Sequence, residues 1–137
     1  MNGNIHLFLY VNLIKMKKNI HYLAIFTMCL TFLLIFVGAL VKSTEAGLSV
    51  PDWPTTFGEN MFLFPLSSMV GGILYEHSHR LIASFVGFCI LINTILIQLS
   101  NHQKYVKILT LIALFAVIIQ GILGGLTVLY FLLAWIS

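Results

Sequence analysis

The sequence predicts an all-α membrane protein with three transmembrane helices. Hydrophobic residues make up 60% of the 137 residues and charged residues only 8%, whereas a soluble domain carries about 25% charged residues. So few charges cannot cover the surface of a soluble globule, and the high hydrophobicity is equally incompatible with a disordered chain. Three runs are long enough to cross the membrane, which takes about 20 apolar residues in a helix.

The three predicted helices follow one another along the chain. The first covers residues 21–41, the second covers residues 81–99 with a helix start near Ile73, and the third runs from residue 108 to residue 137. Three glycines interrupt the third run, and we expect them to let helices approach closely, because small residues permit close packing in membranes. These glycines are Gly121, Gly124 and Gly125.

The distribution of basic residues predicts the orientation in the membrane. Lysines precede the first helix and fill the short link between the second and third, whereas the loop over residues 42–72 has one lysine against three acidic residues. By the positive-inside rule, the N-terminus and the short link face the cytoplasm and the long loop lies outside. We therefore predict a cytoplasmic segment over residues 1–19 and a transmembrane domain over residues 20–137. The expected location is the inner (plasma) membrane of a bacterium.

Several functional classes are excluded by what the sequence lacks. No basic stripe with exposed aromatic residues is present, which excludes nucleic-acid binding. No cysteine and histidine cluster has the spacing of a zinc site. Cys29 and Cys89 both lie in apolar runs, so we expect buried, inert thiols rather than a disulfide.

The charged segment that opens the second helix is the exception in an apolar chain. It contains Glu76, His77, His79 and Arg80, and ionisable groups at membrane depth usually serve a site or a pathway. A structural interpretation has equal weight: Glu76 and Arg80 are one turn apart and could form an ion pair, with the histidines among the lipid headgroups.

Helix geometry separates the two histidines. At about 100° per residue, Glu76 and His79 fall within roughly 60° of each other, whereas His77 points about 160° away from His79. One imidazole can therefore face the bundle interior while the other faces the headgroups or the loop. A neutral imidazole is a good ligand for haem iron, and the small residues that follow on the same face leave room for a flat cofactor. Of the two histidines, His79 is therefore the better candidate for an iron ligand, because it shares the face of Glu76.

The long loop is turn-rich, and its Trp53 is by itself typical of an interfacial anchor. Three specific motifs lie in the loop, at the start of the second helix and in the third helix. They are GALV (38–41) leading into STEAGLS (43–49) and PDWP (51–54), then YEHSHRL (75–81), then QGILGGLTV (120–128). In this order they resemble the haem A synthase family, and they cover about residues 24–130.

The resemblance implies a fold and a reaction. Members are eight-helix membrane oxidoreductases made of two similar halves, which oxidise a methyl substituent of haem O to a formyl group and so make haem A for cytochrome oxidase assembly. One half holds the substrate haem O and the other holds a haem B cofactor. His79 matches the substrate-haem ligand on the second helix, and Glu76 matches a glutamate taken as catalytic, through stabilisation of a cationic intermediate. The partner histidine belongs to a fourth helix.

This sequence departs from the family pattern in two respects. Some bacterial members carry a cysteine pair around the PDWP segment, where this chain has Val50 and Thr56, so the loop has no thiol relay. The C-terminal half is also absent, so we expect a fragment that is inactive alone, equivalent to most of one four-helix half. Residues 1–15 are interpreted either as a short extension or as the result of a mis-assigned start, with Met16 as the alternative start, and we assign them no function.

Two alternatives stay open at the level of sequence. The first is a non-catalytic membrane subunit for haem binding or assembly, which needs His79 but not Glu76. The second is a structural three-helix protein with a Glu–Arg pair and no haem. The partners considered are haem O, membrane lipid, a haem O synthase or an oxidase assembly partner, and a second copy of the chain.

Overall fold

The computed structural model describes residues 2–136, with side chains described for residues 17–131, 133 and 134. Its three long α-helices each contain a stretch long and apolar enough to cross a membrane, within Lys17–Ser43, Gly72–Leu99 and Lys104–Phe131. The predicted fold class, an all-α membrane protein with three transmembrane helices, is confirmed. The helices are α1 (Asn2–Ser43), α2 (Gly72–Leu99) and α3 (Lys104–Ile136), with a short 3-10 helix (Leu66–Ser68) in the loop between α1 and α2.

The helix boundaries extend beyond the uncharged runs. α2 begins at Gly72, next to the predicted start, whereas α3 begins at Lys104, four residues before the apolar run does. α1 is continuous from Asn2 and passes through residue 20, where the predicted transmembrane domain begins. Charged residues continue a helix readily once it leaves the hydrocarbon, because their side chains can extend into the headgroup region.

The central helix is α2, which packs against both α1 and α3. Over the described residues, α1 and α3 do not pack against each other. Polar groups join the helices within the apolar region: the Asn93 side-chain Nδ2 donates to Thr27 Oγ1 on α1 at 2.8 Å. On the other side of α2, the Thr94 hydroxyl donates to the backbone carbonyl of Thr110 on α3 at 3.2 Å. Such hydrogen bonds help membrane helices to associate, because lipid offers no competing polar partner.

One expectation about the apolar runs is wrong, because the two thiols are not both buried. Cys29 is exposed on α1, and only Cys89 is a buried thiol among the described residues. An apolar run in a membrane helix does not distinguish the face that packs against protein from the face that meets lipid, so the run could not indicate burial. A Cβ added at Gly121 or Gly124 would have no described neighbour within contact distance, and Gly125 adjoins the long loop instead of a helix.

Candidate functional site

The carboxylate of Glu76 is buried at the end of α2 that adjoins the long loop (residues 44–71). Its side chain has both oxygens occupied: Oε2 accepts a hydrogen bond from the backbone N–H of Val50 at 2.8 Å, and Oε1 accepts one from Arg80 Nη2 at 2.5 Å. The ion pair is formed between residues one helical turn apart. Glu76 therefore joins the start of α2 to a loop residue that lies 26 positions earlier in the chain.

The guanidinium of Arg80 binds the same loop at several points. Nη1 donates to the backbone carbonyls of Asp52 at 2.7 Å and Thr55 at 3.3 Å. Nη2 donates to the carbonyl of Val50 at 2.9 Å in addition to Glu76. The planar fork of an arginine suits this arrangement because it directs several N–H groups to fixed acceptors at once. Arg80 thus satisfies three backbone carbonyls in a loop that has no regular secondary structure there.

The imidazole of His77 is fully enclosed and contacts the far side of the loop. Its exposed fraction is 1%, and its Nδ1 shares a hydrogen bond of 3.1 Å with the hydroxyl of Thr56, which is itself buried. The ring of Phe64 lies 5.1 Å from the His77 ring, measured between centroids. Of the alternatives that the sequence left open for the second histidine, headgroups or loop, the structure gives the loop.

The imidazole of His79 has a different environment from that of His77. It lies against Gly38 of α1, where an added Cβ would come within 3.0 Å of the imidazole Cε1. The Nδ1 atom is buried and has no hydrogen-bond partner among the described residues. The other ionisable side chains of the cluster, Glu76, His77 and Arg80, all have hydrogen-bond partners. His79 differs because its ring makes no hydrogen bond to the described part of the protein.

The carboxylate of Asp52 organises the middle of the loop. It accepts hydrogen bonds from the backbone N–H groups of Phe57 and Gly58, each at 2.8 Å, and from the hydroxyl of Thr55. Partial burial acts to raise the pKa of Asp52, but the hydrogen bonds from Thr55, Gly58 and Phe57 outweigh it and hold the pKa below its usual value of 3.8. Asp52 is therefore an anionic acceptor that closes the loop on itself.

The indole of Trp53 connects the loop to α3. A Cβ on Gly125 would overlap the Trp53 ring, so only glycine leaves room for the indole at this position. Gly125 and Val128 are the buried residues of α3 among the side chains that the structure describes. Trp53 keeps an exposed fraction of 38%, so one part of the indole covers α3 while another remains accessible.

The predicted charged cluster lies at the start of α2, and its side chains contact two neighbouring elements, the long loop and α1. The Glu76–Arg80 pair of the structural interpretation is present. Glu76 and His77 contact the loop, whereas His79 contacts α1. No group of three or more histidine, cysteine, aspartate or glutamate residues that could hold a metal ion occurs in the part of the chain that the structure describes.

Sequence reasoning missed the residues that receive the cluster. Val50 and Thr56, which stand where some haem A synthases have cysteines, are both fully buried and bind Glu76 and His77 respectively. In the sequence, Gly38 stands out only as the first residue of the GALV motif, although in the structure it makes room for the His79 ring. Its position one turn before the end of the predicted first helix is the signal that could have found it, because glycine in a membrane helix often marks a close approach.

Comparison with known proteins supports the resemblance to the haem A synthase family that the motifs indicate. The sequence profile of the family described as COX15-CtaA, cytochrome oxidase assembly protein, matches residues 21–134. Among curated relatives, "Heme A synthase" of Shouchella clausii is 32% identical over 112 residues, which are 80% of this chain and 36% of that protein. "Heme A synthase" of Lysinibacillus sphaericus is 34% identical over 100 residues, which are 72% of this chain and 31% of that protein.

A third relative extends the match slightly further along the chain. "Heme A synthase" of Listeria monocytogenes is 30% identical over 117 residues, which are 83% of this chain and 35% of that protein. The chain therefore spans about a third of the length of these curated relatives. No solved structure matches it. Because the family profile covers most of the sequence, this chain belongs to the COX15-CtaA family of cytochrome oxidase assembly proteins.

Proposed function

We propose that this chain binds haem O through His79 and forms the substrate side of a haem A synthase, which oxidises a methyl substituent of haem O to a formyl group. Family membership supports the reaction class. The observation that carries the proposal is the unengaged imidazole of His79, whose buried Nδ1 has no partner among the described residues. A neutral imidazole that makes no hydrogen bond to the described residues can offer its other ring nitrogen to an iron atom.

The ring packing of His79 indicates which nitrogen would bind iron. Nδ1 is the enclosed nitrogen, so Nε2, at the opposite corner of the ring, is the one that we assign to the iron. Gly38 lies closest to Cε1, the carbon between the two nitrogens. The backbone of α1 therefore limits rotation of the His79 ring, which would hold the haem.

Glu76 would act through its charge in this proposal. Both carboxylate oxygens accept hydrogen bonds, from Val50 and Arg80, so the group is held in place one turn before His79. A fixed carboxylate in a site that excludes water stabilises positive charge that develops close to it. This matches the role that the family resemblance assigns to Glu76, stabilisation of a cationic intermediate derived from the methyl group.

The redox part of the reaction would need more of the family's structure than these 137 residues. In the family, a haem B cofactor in the other half supplies redox chemistry, and this chain spans about a third of its relatives. We expect that the chain alone binds haem O without converting it. We also propose that the long loop lies on the outer side of a bacterial inner membrane, because Lys17, Lys18, Lys104 and Lys107 are all at the opposite end of the helices.

Haem binding by single-histidine variants tests the proposal. The full chain is produced in bacterial membranes that contain haem O, solubilised in detergent and examined for a Soret band. We expect the band in the unmodified chain and its loss in His79→Ala. His102→Ala is the matched control, because His102 bonds to Ser100 at the opposite end of α2 and should leave the band unchanged. A band of full intensity in His79→Ala would contradict the proposal.

A second candidate function is a haem-binding or assembly subunit without catalysis. The observation that favours it is the complete engagement of Glu76 by Arg80 and Val50, which gives this carboxylate a structural task. In this case Glu76→Gln retains haem binding, and it does not reduce haem A formation when the chain is supplied with the remainder of a haem A synthase. In the catalytic proposal, the same variant binds haem O but forms no haem A, which extraction and chromatography of the haems would show.

A further inference from the structure

All four terminal N–H bonds of the Arg80 guanidinium are directed at the protein. They reach the carbonyls of Val50, Asp52 and Thr55 and the carboxylate of Glu76. An arginine at the end of a membrane helix near a haem ligand would ordinarily be considered a partner for an anionic group of the substrate. Both terminal nitrogens of Arg80 are thus directed to the loop and to Glu76 rather than to such a group.

The acceptors of Arg80 are clustered in one short segment of the loop. Val50 contributes its carbonyl to Arg80 and its N–H to Glu76, so the charged pair binds both polar groups of a single loop residue. The Val50 side chain is fully buried in the docked loop. Releasing Arg80 would leave three carbonyls and a buried carboxylate without their donor, which costs more than the loss of an ordinary surface contact.

From these contacts we propose that Arg80 is a positioning residue that holds the long loop and the Glu76 carboxylate in place as one unit. Its effect on the site passes through Glu76 and the loop rather than through contact with the substrate. The loop contacts carry this inference by themselves, and its extension to haem rests on the proposed function. The sequence offered Arg80 only as an ion-pair partner for Glu76; the three loop carbonyls show the larger role.

The position of Val50 allows the loop to be tested without haem. In a Cys29→Ala background, Val50→Cys places a thiol at the buried anchor of the loop, and the native Cys89, buried in α2, reports on the helix bundle. Labelling of both thiols by a maleimide is followed over time in detergent. We expect Arg80→Gln to speed the labelling of the thiol at position 50 by about tenfold or more, because a buried ion pair has been broken, while Cys89 stays protected.

Two further variants give the experiment its controls. Lys42→Gln removes the same charge at the end of α1 and should leave labelling at position 50 unchanged, since Lys42 is exposed and donates no side-chain hydrogen bond in the described structure. Arg80→Lys keeps the charge but not the fork, so it should label at an intermediate rate; it also supplies the result if Arg80→Gln is not produced. Unchanged labelling in both Arg80 variants would overturn the inference, and so would labelling of Cys89 in parallel with position 50.

The Soret band of added haem tests the extension to the site. A purely structural role in holding the loop would leave the band position of bound haem unchanged, whereas a positioning role predicts a shifted or weakened band in Arg80→Gln and partial recovery in Arg80→Lys. An unshifted band of full intensity with a released loop would overturn the extension. If the unmodified chain shows no band, the proposed function fails, and the labelling rates alone still decide whether Arg80 holds the loop.

Discussion

The two ends of α2 use polar residues in different ways. At the end that adjoins the long loop, Glu76, His77 and Arg80 bind loop residues through charged and aromatic side chains. At the end that adjoins the short link, Gln98 and Lys107 bind each other's backbone carbonyls, at 2.8 and 2.9 Å, and so join α2 to α3. The second arrangement holds two helices together and leaves no imidazole unengaged among the described residues. The first folds a loop over the helix and leaves His79 Nδ1 without a hydrogen-bond partner there, which supports the proposal that His79 binds a ligand.

The largest effect is expected from Glu76→Ala. This change leaves the Arg80 guanidinium partly buried without its counter-charge, and breaking a buried pair typically costs about 3–5 kcal/mol. We expect a loss of this order in the free energy of unfolding, measured by titration with a denaturing detergent. Gln98→Ala at the other end of α2 is the comparison, with an expected loss of about 1 kcal/mol for one hydrogen bond. Equal losses at both ends would remove the distinction between them.

A second test concerns the contact between the loop and α3. Gly125→Val should displace the Trp53 indole, because even a Cβ at this position would overlap the ring; overpacking of this kind costs about 1–3 kcal/mol. Gly121→Val is the matched control, since it adds the same side chain to the same helix where no described neighbour is present. In a Trp135→Phe background, the fluorescence of Trp53 should shift to longer wavelength in the first variant and stay constant in the second.

The packing of His79 against α1 gives a third test. In Gly38→Ala the new Cβ would meet the imidazole carbon Cε1 at 3.0 Å, so the ring has to move by a few tenths of an ångström. We expect the affinity for haem to fall by about three- to tenfold, the equivalent of about 1 kcal/mol. Gly87→Ala on α2 has open space around it and should bind haem unchanged. If both variants bind haem equally well, α1 does not set the position of the ring.

The pH dependence of the loop reports on the carboxylate of Asp52. The pKa of Asp52 is lowered in the folded chain, so the stabilisation that it provides is complete above its ordinary pKa and is lost as the pH falls through the lower folded value. Protection of the Phe57 and Gly58 amides against hydrogen exchange should therefore persist at pH 5 and decline below about pH 3.8. In Asp52→Asn this decline should disappear and the loop should be weaker by about 1 kcal/mol at neutral pH.

The smallest effect is expected where α2 meets α1 through uncharged groups. Asn93→Ala removes the hydrogen bond to Thr27, and interhelical hydrogen bonds of this kind in membranes contribute about 0.6 kcal/mol on average. The cost should be further reduced because the Asn93 Oδ1 atom is buried without a partner among the described residues, and alanine removes that atom as well. A loss above about 2 kcal/mol in the same detergent titration would contradict this ranking.

The sequence predicts the fold class and the position of the charged cluster, for clear physical reasons. Long uncharged runs have one stable solution in lipid, so the three helices follow from composition and length. The pairing of Glu76 with Arg80 follows from the helical repeat, because residues four apart share a face. The choice between His77 and His79 also follows from this repeat, although the repeat does not say which neighbour each ring meets.

The remaining contacts could not be predicted because they join distant parts of the chain without a periodic signal. Thr56 and Val50 lie in a loop whose path depends on Arg80, and no local pattern indicates that one would be bound to His77 and the other to Glu76. The contact between Trp53 and Gly125 joins the long loop, which precedes α2 in the sequence, to α3, which follows α2. The exposure of Cys29 was also unpredictable, since apolar residues are suited equally to lipid and to protein in this environment.

Over the described residues, α1 and α3 do not pack against each other, so α3 is joined to the rest of the fold by α2 and by the contact between Trp53 and Gly125. If α3 tilts away from α2 at the end near the long loop, either the Trp53 ring moves with α3 or it no longer covers Gly125. Trp53 is bonded in sequence to Asp52, whose carbonyl is held by Arg80. A tilt of α3 would therefore move the peptide group between Asp52 and Trp53, whose carbonyl Arg80 binds. Arg80 in turn binds the carboxylate of Glu76.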